Sequence, residues 1–211
     1  RCCSCRRVGF LNAILPLHYE SDGRAVCRLC HQSSVRTQGD LGSLVVEVAN
    51  WFQHRLGLQF VNHTIRVRLA SGNELGWNED TGDATTTQAR GMPTGRFIDA
   101  VPYGHTEGMT KKMLRSDIWG NKTRTVDEIV ILHGLPKIHA GKVLVHELMH
   151  AYLHLFGFPS SSGDDGVMTE EGLCELVSYF WLTEQRLSSL SAQQRKEATF
   201  FLKVMDLNAS L

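Results

Sequence analysis

No charge of one sign dominates this sequence: 22 Lys and Arg balance 22 Asp and Glu across 211 residues. Such a balance leaves no basic footprint for nucleic acid and no acidic tail. Apolar runs are short, and none approaches the roughly 20 residues a membrane-spanning helix needs. Internal repeats are lacking. A signal peptide and an initiating Met are lacking too, so the chain, which begins at Arg1, is expected to be a piece of a longer protein. Cysteine is almost absent beyond residue 30. Five of the six cysteines stand at 2, 3, 5, 27 and 30, and only Cys174 lies later, in an apolar stretch. A secreted disulfide scaffold distributes its cysteines more evenly, so this crowding points to metal binding in a reducing compartment, the cytoplasm or the nucleus.

The hydrophobic share of 42% suffices for one ordinary domain with a buried core plus a small appendage. Residues 1–36 carry the cysteines and too few apolar residues for a core, and are expected to be a separate structural zinc module. From Leu41 onward Leu44, Val45, Val48, Phe52 and Leu56 recur at helical spacing, with Asp40 as N-cap and Gly57 as the stop. Ile65, Val67 and Leu69 alternate with Arg66 and Arg68, the period of a half-buried strand. Residues 71–125 show weak periodicity, and an irregular surface excursion there is a commoner explanation than a lid. Val126–Leu132 reads as a strand. Helices are then expected over about 138–156, about 170–187 and most of 192–206, with Leu173, Leu176, Val177, Phe180 and Trp181 on one face of the second. The outline is α+β, with 37–211 as the main domain.

His146-Glu147-Leu-Met-His150 matches the H-E-x-x-H pattern inside the first of these helices. Residues four apart share a helical face, so both imidazoles can reach one Zn²⁺ at ~2.0–2.1 Å. Glu147 is rotated about 100° from His146, which aims its carboxylate at a metal-bound water rather than at the metal. Zinc lowers that water's pKa towards neutrality, and Glu147 can take the proton as general base. Chance or two ordinary core histidines would explain the pattern more blandly. Its setting among Val143, Leu144, Val145, Leu148 and Met149 argues otherwise, because imidazoles and a carboxylate there are costly without a ligand.

A catalytic zinc needs a third protein ligand and one open position. The metzincin continuation requires a glycine and a third histidine where this chain has Leu153 and Phe156, so that branch is excluded. His154 lies one turn too far along the same helix and reads as an exposed or outer histidine. The remaining source is a Glu on the next helix, about 20 residues on, in Glu170-Glu171-Gly172. Glu171 is preferred because it precedes Gly172, where a missing side chain would let the two helices approach. Glu170, the rival, would otherwise offset the dipole at a helix start. Glu175, one turn after Glu171, suits an acceptor for a ligand imidazole. The strand 126–132 either borders a cleft, with substrate pairing along its edge, or simply packs in the sheet. Tyr103, His133, Tyr152 and Tyr179 are all candidates for stabilising an oxyanion.

Cys2-x-x-Cys5, a gap of 21 residues and Cys27-x-x-Cys30 form the pattern of a closed four-thiolate structural zinc site. Metal binding there would supply folding energy that so short a segment lacks from burial. Cys3 is left free, and His18 and His31 would serve only if a cysteine failed. A redox role is disfavoured, because neither pair opens a helix in a larger α/β domain.

Taken in order, Arg1-Cys-Cys-Ser-Cys5, Asp22-Gly-Arg24, Cys27-x-x-Cys30, Ile129-Val-Ile-Leu-His-Gly-Leu-Pro136, His146-Glu-Leu-Met-His150-Ala, Glu170-Glu-Gly-Leu-Cys174 and Trp181-Leu-Thr-Glu184 resemble a known family. It is the plant ubiquitin-activated LIM-domain zinc peptidases of the DA family, which limit organ and seed size. The resemblance implies a gluzincin-like zinc peptidase domain behind a LIM-like half, with one catalytic and one structural zinc. It also implies an endopeptidase acting on proteins such as ubiquitin ligases and growth regulators, and activated by its own ubiquitination. The ubiquitin-interacting motifs and the first LIM half are not in this sequence. Two other readings stay open: a LIM-type interaction scaffold on a weakly catalytic peptidase-like fold, and a zinc hydrolase for a small non-peptide substrate.

Overall fold

The computed structural model describes residues 2–5, 17–60, 65–75, 96–99, 126–156, 164–188 and 191–208. Near the N-terminus, strands β1 (Leu17–Tyr19) and β2 (Ala25–Cys27) form an antiparallel hairpin, and the short helix α1 (Arg28–Gln32) follows directly. Among the described residues their buried apolar centre is Cys2, Val26, Cys27 and Cys30, three of the four being cysteines.

Helix α2 (Gln38–Trp51) buries Leu41, Leu44, Val48 and Trp51. Its N-cap is Thr37, not Asp40. The Thr37 hydroxyl accepts from the Asp40 amide while the Asp40 carboxylate accepts from the Thr37 amide, a reciprocal box that moves the helix start three residues upstream. The helix ends in a wide π-type turn, Phe52–Leu56, stopped by Gly57 at φ 68°.

Strands β3 (Arg66–Ala70), β4 (Arg96–Asp99) and β5 (Val126–Leu132) make one sheet in the order β3-β5-β4, with β3 parallel and β4 antiparallel to β5. β5 is therefore central, and both its edges are paired. Of the two readings for 126–132, an edge that borders a cleft and a strand that packs in the sheet, this pairing supports the second. The strand packs, and its run of buried Ile129, Val130, Ile131 and Leu132 is what a strand covered on both faces requires.

Helices α3 (Lys137–Leu155), α4 (Asp164–Leu187) and α5 (Ala192–Asn208) cover the core. Cross-contacts run Lys142–Ser178, Lys142–Glu175 and His150–Glu170, so α3 and α4 are antiparallel. α4 starts six residues earlier than the sequence suggests, which places Glu170 well inside the helix rather than at its start. Its buried residues are Cys174, Val177, Ser178, Trp181, Leu182 and Gln185, a strict 3-4 helical repeat. Leu173, Leu176 and Phe180, expected on the core face, stand to the side of that stripe and are exposed.

Gly172 does not set the helix separation either: a Cβ there would meet nothing within 4 Å. Gly141 on α3 does. A Cβ at Gly141 would lie 2.2 Å from Cη2 of the fully buried Trp181. The indole lies against the bare backbone of α3, and only glycine permits that.

Candidate metal centre

α3 carries His146, Glu147 and His150 in mid-helix, and the antiparallel α4 brings Glu170, Glu171 and Glu175 alongside. Three of these side chains converge. His146 Nε2 and His150 Nε2 lie 3.1 Å apart, and each is 3.2 Å from an oxygen of Glu171. Four donors arranged tetrahedrally at ~2.0–2.1 Å around zinc would be about 3.4 Å from one another. The two imidazole nitrogens and the Glu171 carboxylate, with Oε2 facing His146 and Oε1 facing His150, stand close to that spacing. The donor set, two imidazoles and a carboxylate, suits zinc and leaves one coordination place for solvent among the described residues.

The other carboxylates of α4 stand behind the imidazoles. Glu170 Oε1 is 2.8 Å from His150 Nδ1, and Glu175 Oε2 is 3.3 Å from His146 Nδ1. His150 can donate its Nδ1 proton to Glu170, and Glu175 faces His146 Nδ1 at ion-pair distance, while the Nε2 atoms of both rings face Glu171. The structure thus separates the two rivals: Glu171 reaches both Nε2 atoms, whereas Glu170 orients His150.

Glu175 also accepts from Lys142 Nζ at 2.7 and 3.0 Å. Burial would raise its pKa, but the His146 hydrogen bond and the Lys142 charge prevail and hold it at about 2. His146 is shifted the opposite way. Desolvation opposes its charge, yet the Glu175 hydrogen bond and the fields of Glu147, Glu175 and Glu171 raise it above the ordinary imidazole value. Glu147 is buried.

Cys174 occupies the middle of this acidic group. Burial, and then Glu170, Glu171, Glu147 and Glu175, push its thiol far above the usual range. It is a neutral packing residue, no rival ligand. Sequence reasoning overlooked Lys142, although its place four residues before His146, on the same helical face, was a signal. Of the four oxyanion candidates, Tyr103 lies outside the described residues. Tyr152 packs between Phe60 and Phe156, His133 turns its ring towards Glu20, and Tyr179 is half-buried two turns beyond Glu171.

Cys2, Cys5, Cys27 and Cys30 form a second group of convergent donors, and none is in a disulfide. Cys5 Sγ and Cys27 Sγ are 3.6 Å apart. Thiolates at ~2.3 Å in a tetrahedron would be about 3.8 Å apart, so this cluster fits a closed four-sulfur site. Cys2 is pulled strongly towards the thiolate by the Cys30 and Cys5 thiols, while Cys30 is pushed up by the same contacts. Cys3 stays outside the cluster, its thiol raised by burial to about 11. His18 and His31 stack on one another, ring centroids 4.1 Å apart, and are not among the convergent donors.

An α+β domain thus presents two groups of side chains that could each hold a metal ion: two imidazoles and a glutamate from antiparallel helices, and a four-cysteine cluster. The DA1-like family profile, described as Protein DA1, matches residues 63–205, and this chain belongs to that family. It is 29% identical over 195 residues to Protein DA1 of Arabidopsis thaliana, covering 86% of this chain and 34% of that protein. It is 28% identical over 207 residues to the LIM domain-containing protein HDR3 of Oryza sativa subsp. japonica, covering 90% and 38%. With Protein DA1-related 2 of Arabidopsis thaliana it shares 26% identity over 198 residues, covering 92% and 36%. The chain therefore spans between a third and two fifths of the length of these relatives. No solved structure matches it. Among the described residues no helix is long and apolar enough to cross a membrane.

Proposed function

We propose that this chain is the catalytic region of a zinc-dependent endopeptidase of gluzincin type, with 1–36 as a structural zinc module and 37–211 as the peptidase domain. The observation that carries the reading is the three-way convergence of His146 Nε2, His150 Nε2 and the Glu171 carboxylate within 3.2 Å. When bound, zinc acts as a Lewis acid that makes water a usable nucleophile near neutral pH. His146, His150 and Glu171 would hold it. Glu170, bonded to His150 Nδ1, keeps that imidazole in the tautomer that presents Nε2, and the Glu175 carboxylate stands beside His146 Nδ1. Glu147, one position along the helix from His146 and rotated by about 100°, takes the proton from water as it adds to the scissile carbonyl. The same carboxyl then returns that proton to the amide nitrogen as the C–N bond breaks.

The family resemblance supports protein substrates, among them growth regulators and ubiquitin-pathway proteins, with ubiquitin or its ligases as partners. Six free thiols support a reducing compartment, the cytoplasm or nucleus. The test is Glu147→Gln, a near-isosteric change outside the ligand set. The variant should keep both zincs and lose cleavage of a protein substrate by about 10²-fold or more, the share typical of acid–base catalysis. Equal inertness of wild type and variant under ubiquitin-activating conditions would favour a LIM-type interaction scaffold instead.

A further inference from the structure

The motif Asp22-Gly23-Arg24 takes no part in either metal cluster, yet it is one of the most deeply buried polar groups described. The Asp22 and Arg24 side chains are each 1% exposed and bond at 2.9 Å through both Nε and Nη2. Burying an ion pair carries a desolvation cost that its own attraction seldom outweighs, so the bonds it makes outward show what it does. Arg24 Nη2 donates to the His133 carbonyl at 2.8 Å, and the Gly72 amide donates to Asp22 at 2.6 Å. These partners lie just past the C-terminal ends of the parallel strands β5 and β3, where the chain leaves the sheet to begin α3.

Neighbouring bonds converge on the same turn. The Val35 amide donates to the Leu135 carbonyl, the Gly134 amide to the Val35 carbonyl, and Ser4 Oγ bonds His139 Nδ1 at 2.8 Å. The N-cap of α3 is Pro136, which makes no side-chain cap, and the first free amide of the helix, at Lys137, donates to the Ser33 carbonyl at 2.8 Å. The cysteine module therefore supplies the missing cap of the helix that carries His146 and His150.

We infer that Arg24, through its bond to the His133 carbonyl, is a positioning residue for the metal helix, so that the cysteine module is a working part of the histidine centre. The inference rests on reading His146, His150 and Glu171 as that centre. From Lys137 to His146 the helix rises about 13.5 Å. A tilt of one degree about its start moves His146 by about 0.2 Å, the whole tolerance of a zinc–ligand distance. Slack at the module is thus felt at the ligands.

The experiment uses the full chain loaded with cadmium, whose NMR signal separates a four-sulfur site from a nitrogen–oxygen site. Release to a chelator is timed for each site. Arg24→Met should release metal from the histidine site roughly 5- to 150-fold faster, the usual range of coupling between sites, while the cysteine site stays filled. Arg24→Lys, which keeps the charge, should recover part of the loss. Unchanged release from the histidine site of Arg24→Met overturns the inference. Should Arg24→Met not fold, wild-type hydrogen exchange decides. Amides 137–141 should open together with 17–35, and independent opening overturns it. A wild-type chain that loads only its cysteines removes the metal-centre reading itself, a result distinct from two filled sites with unchanged release.

Discussion

Replacing Gly141 with Ala tests whether the α3–α4 contact is as tight as the structure shows. The new Cβ would lie 2.2, 2.7 and 3.0 Å from three atoms of the Trp181 ring. Ordinary contact begins near 3.4 Å, so either the ring or one helix must move by about 1.2 Å. Trp181 is fully buried and has no room to swing. Overpacking of this kind costs about 1–3 kcal/mol. Ala also gains up to about 1 kcal/mol over Gly in a helix, which hides part of the cost. Gly172→Ala supplies the control: it lies in α4, meets nothing within 4 Å, and earns the same propensity gain. The difference between the two variants isolates the clash, about 1–3 kcal/mol, or roughly 2–4 °C of melting temperature per kcal/mol for a chain of this size. The assay is urea or thermal unfolding of both variants, with zinc competition alongside. Because α3 and α4 carry His146, His150 and Glu171, Gly141→Ala should also weaken zinc retention at the proposed site. Equal stability of Gly141→Ala and Gly172→Ala would refute the reasoning.

Glu171→Gln should weaken zinc retention more than Glu170→Gln, which removes only an orienting hydrogen bond and should cost about 10–100-fold in affinity. Chelator competition ranks the two, and the reverse order would exchange their roles. Asp22→Asn should destabilise the protein by about 3–5 kcal/mol at neutral pH by leaving Arg24 buried without its counter-charge. Although burial opposes its charge, the Arg24 and Gly72 hydrogen bonds hold the folded Asp22 pKa below its ordinary 3.8. Its contribution is therefore complete above that value and fades as pH falls below it, so the gap between wild type and variant should close in acid. Urea unfolding at several pH values measures this, and a gap constant down to strong acid would contradict it.

Much of the fold was legible because hydrophobic period and turn chemistry agree with tertiary contacts. The strand 126–132 and the helices about 138–156 and 192–206 are found within two residues of their expected limits. His146, His150 and Glu171 meet as spacing and helix pairing suggest. What eluded the sequence is mostly long-range. That β5 is central depends on the strand Arg96–Asp99, which weak periodicity concealed. The real close-approach glycine is 141 rather than 172, because the indole that needs it sits 40 residues away in α4. The helix begins at Asp164, upstream of its first clear apolar periodicity, so Glu170 was misread as terminal. Nor could the sequence show that Ser33 caps α3, since it does so with its backbone carbonyl.

The most direct test of the central claim is a crystal of the chain grown in zinc-rich buffer, with diffraction recorded on both sides of the zinc absorption edge. Anomalous density should fill the space between His146 Nε2, His150 Nε2 and the Glu171 carboxylate, with a second peak among Cys2, Cys5, Cys27 and Cys30. An empty space at the histidines, or a fourth protein side chain closing that site, would contradict the account.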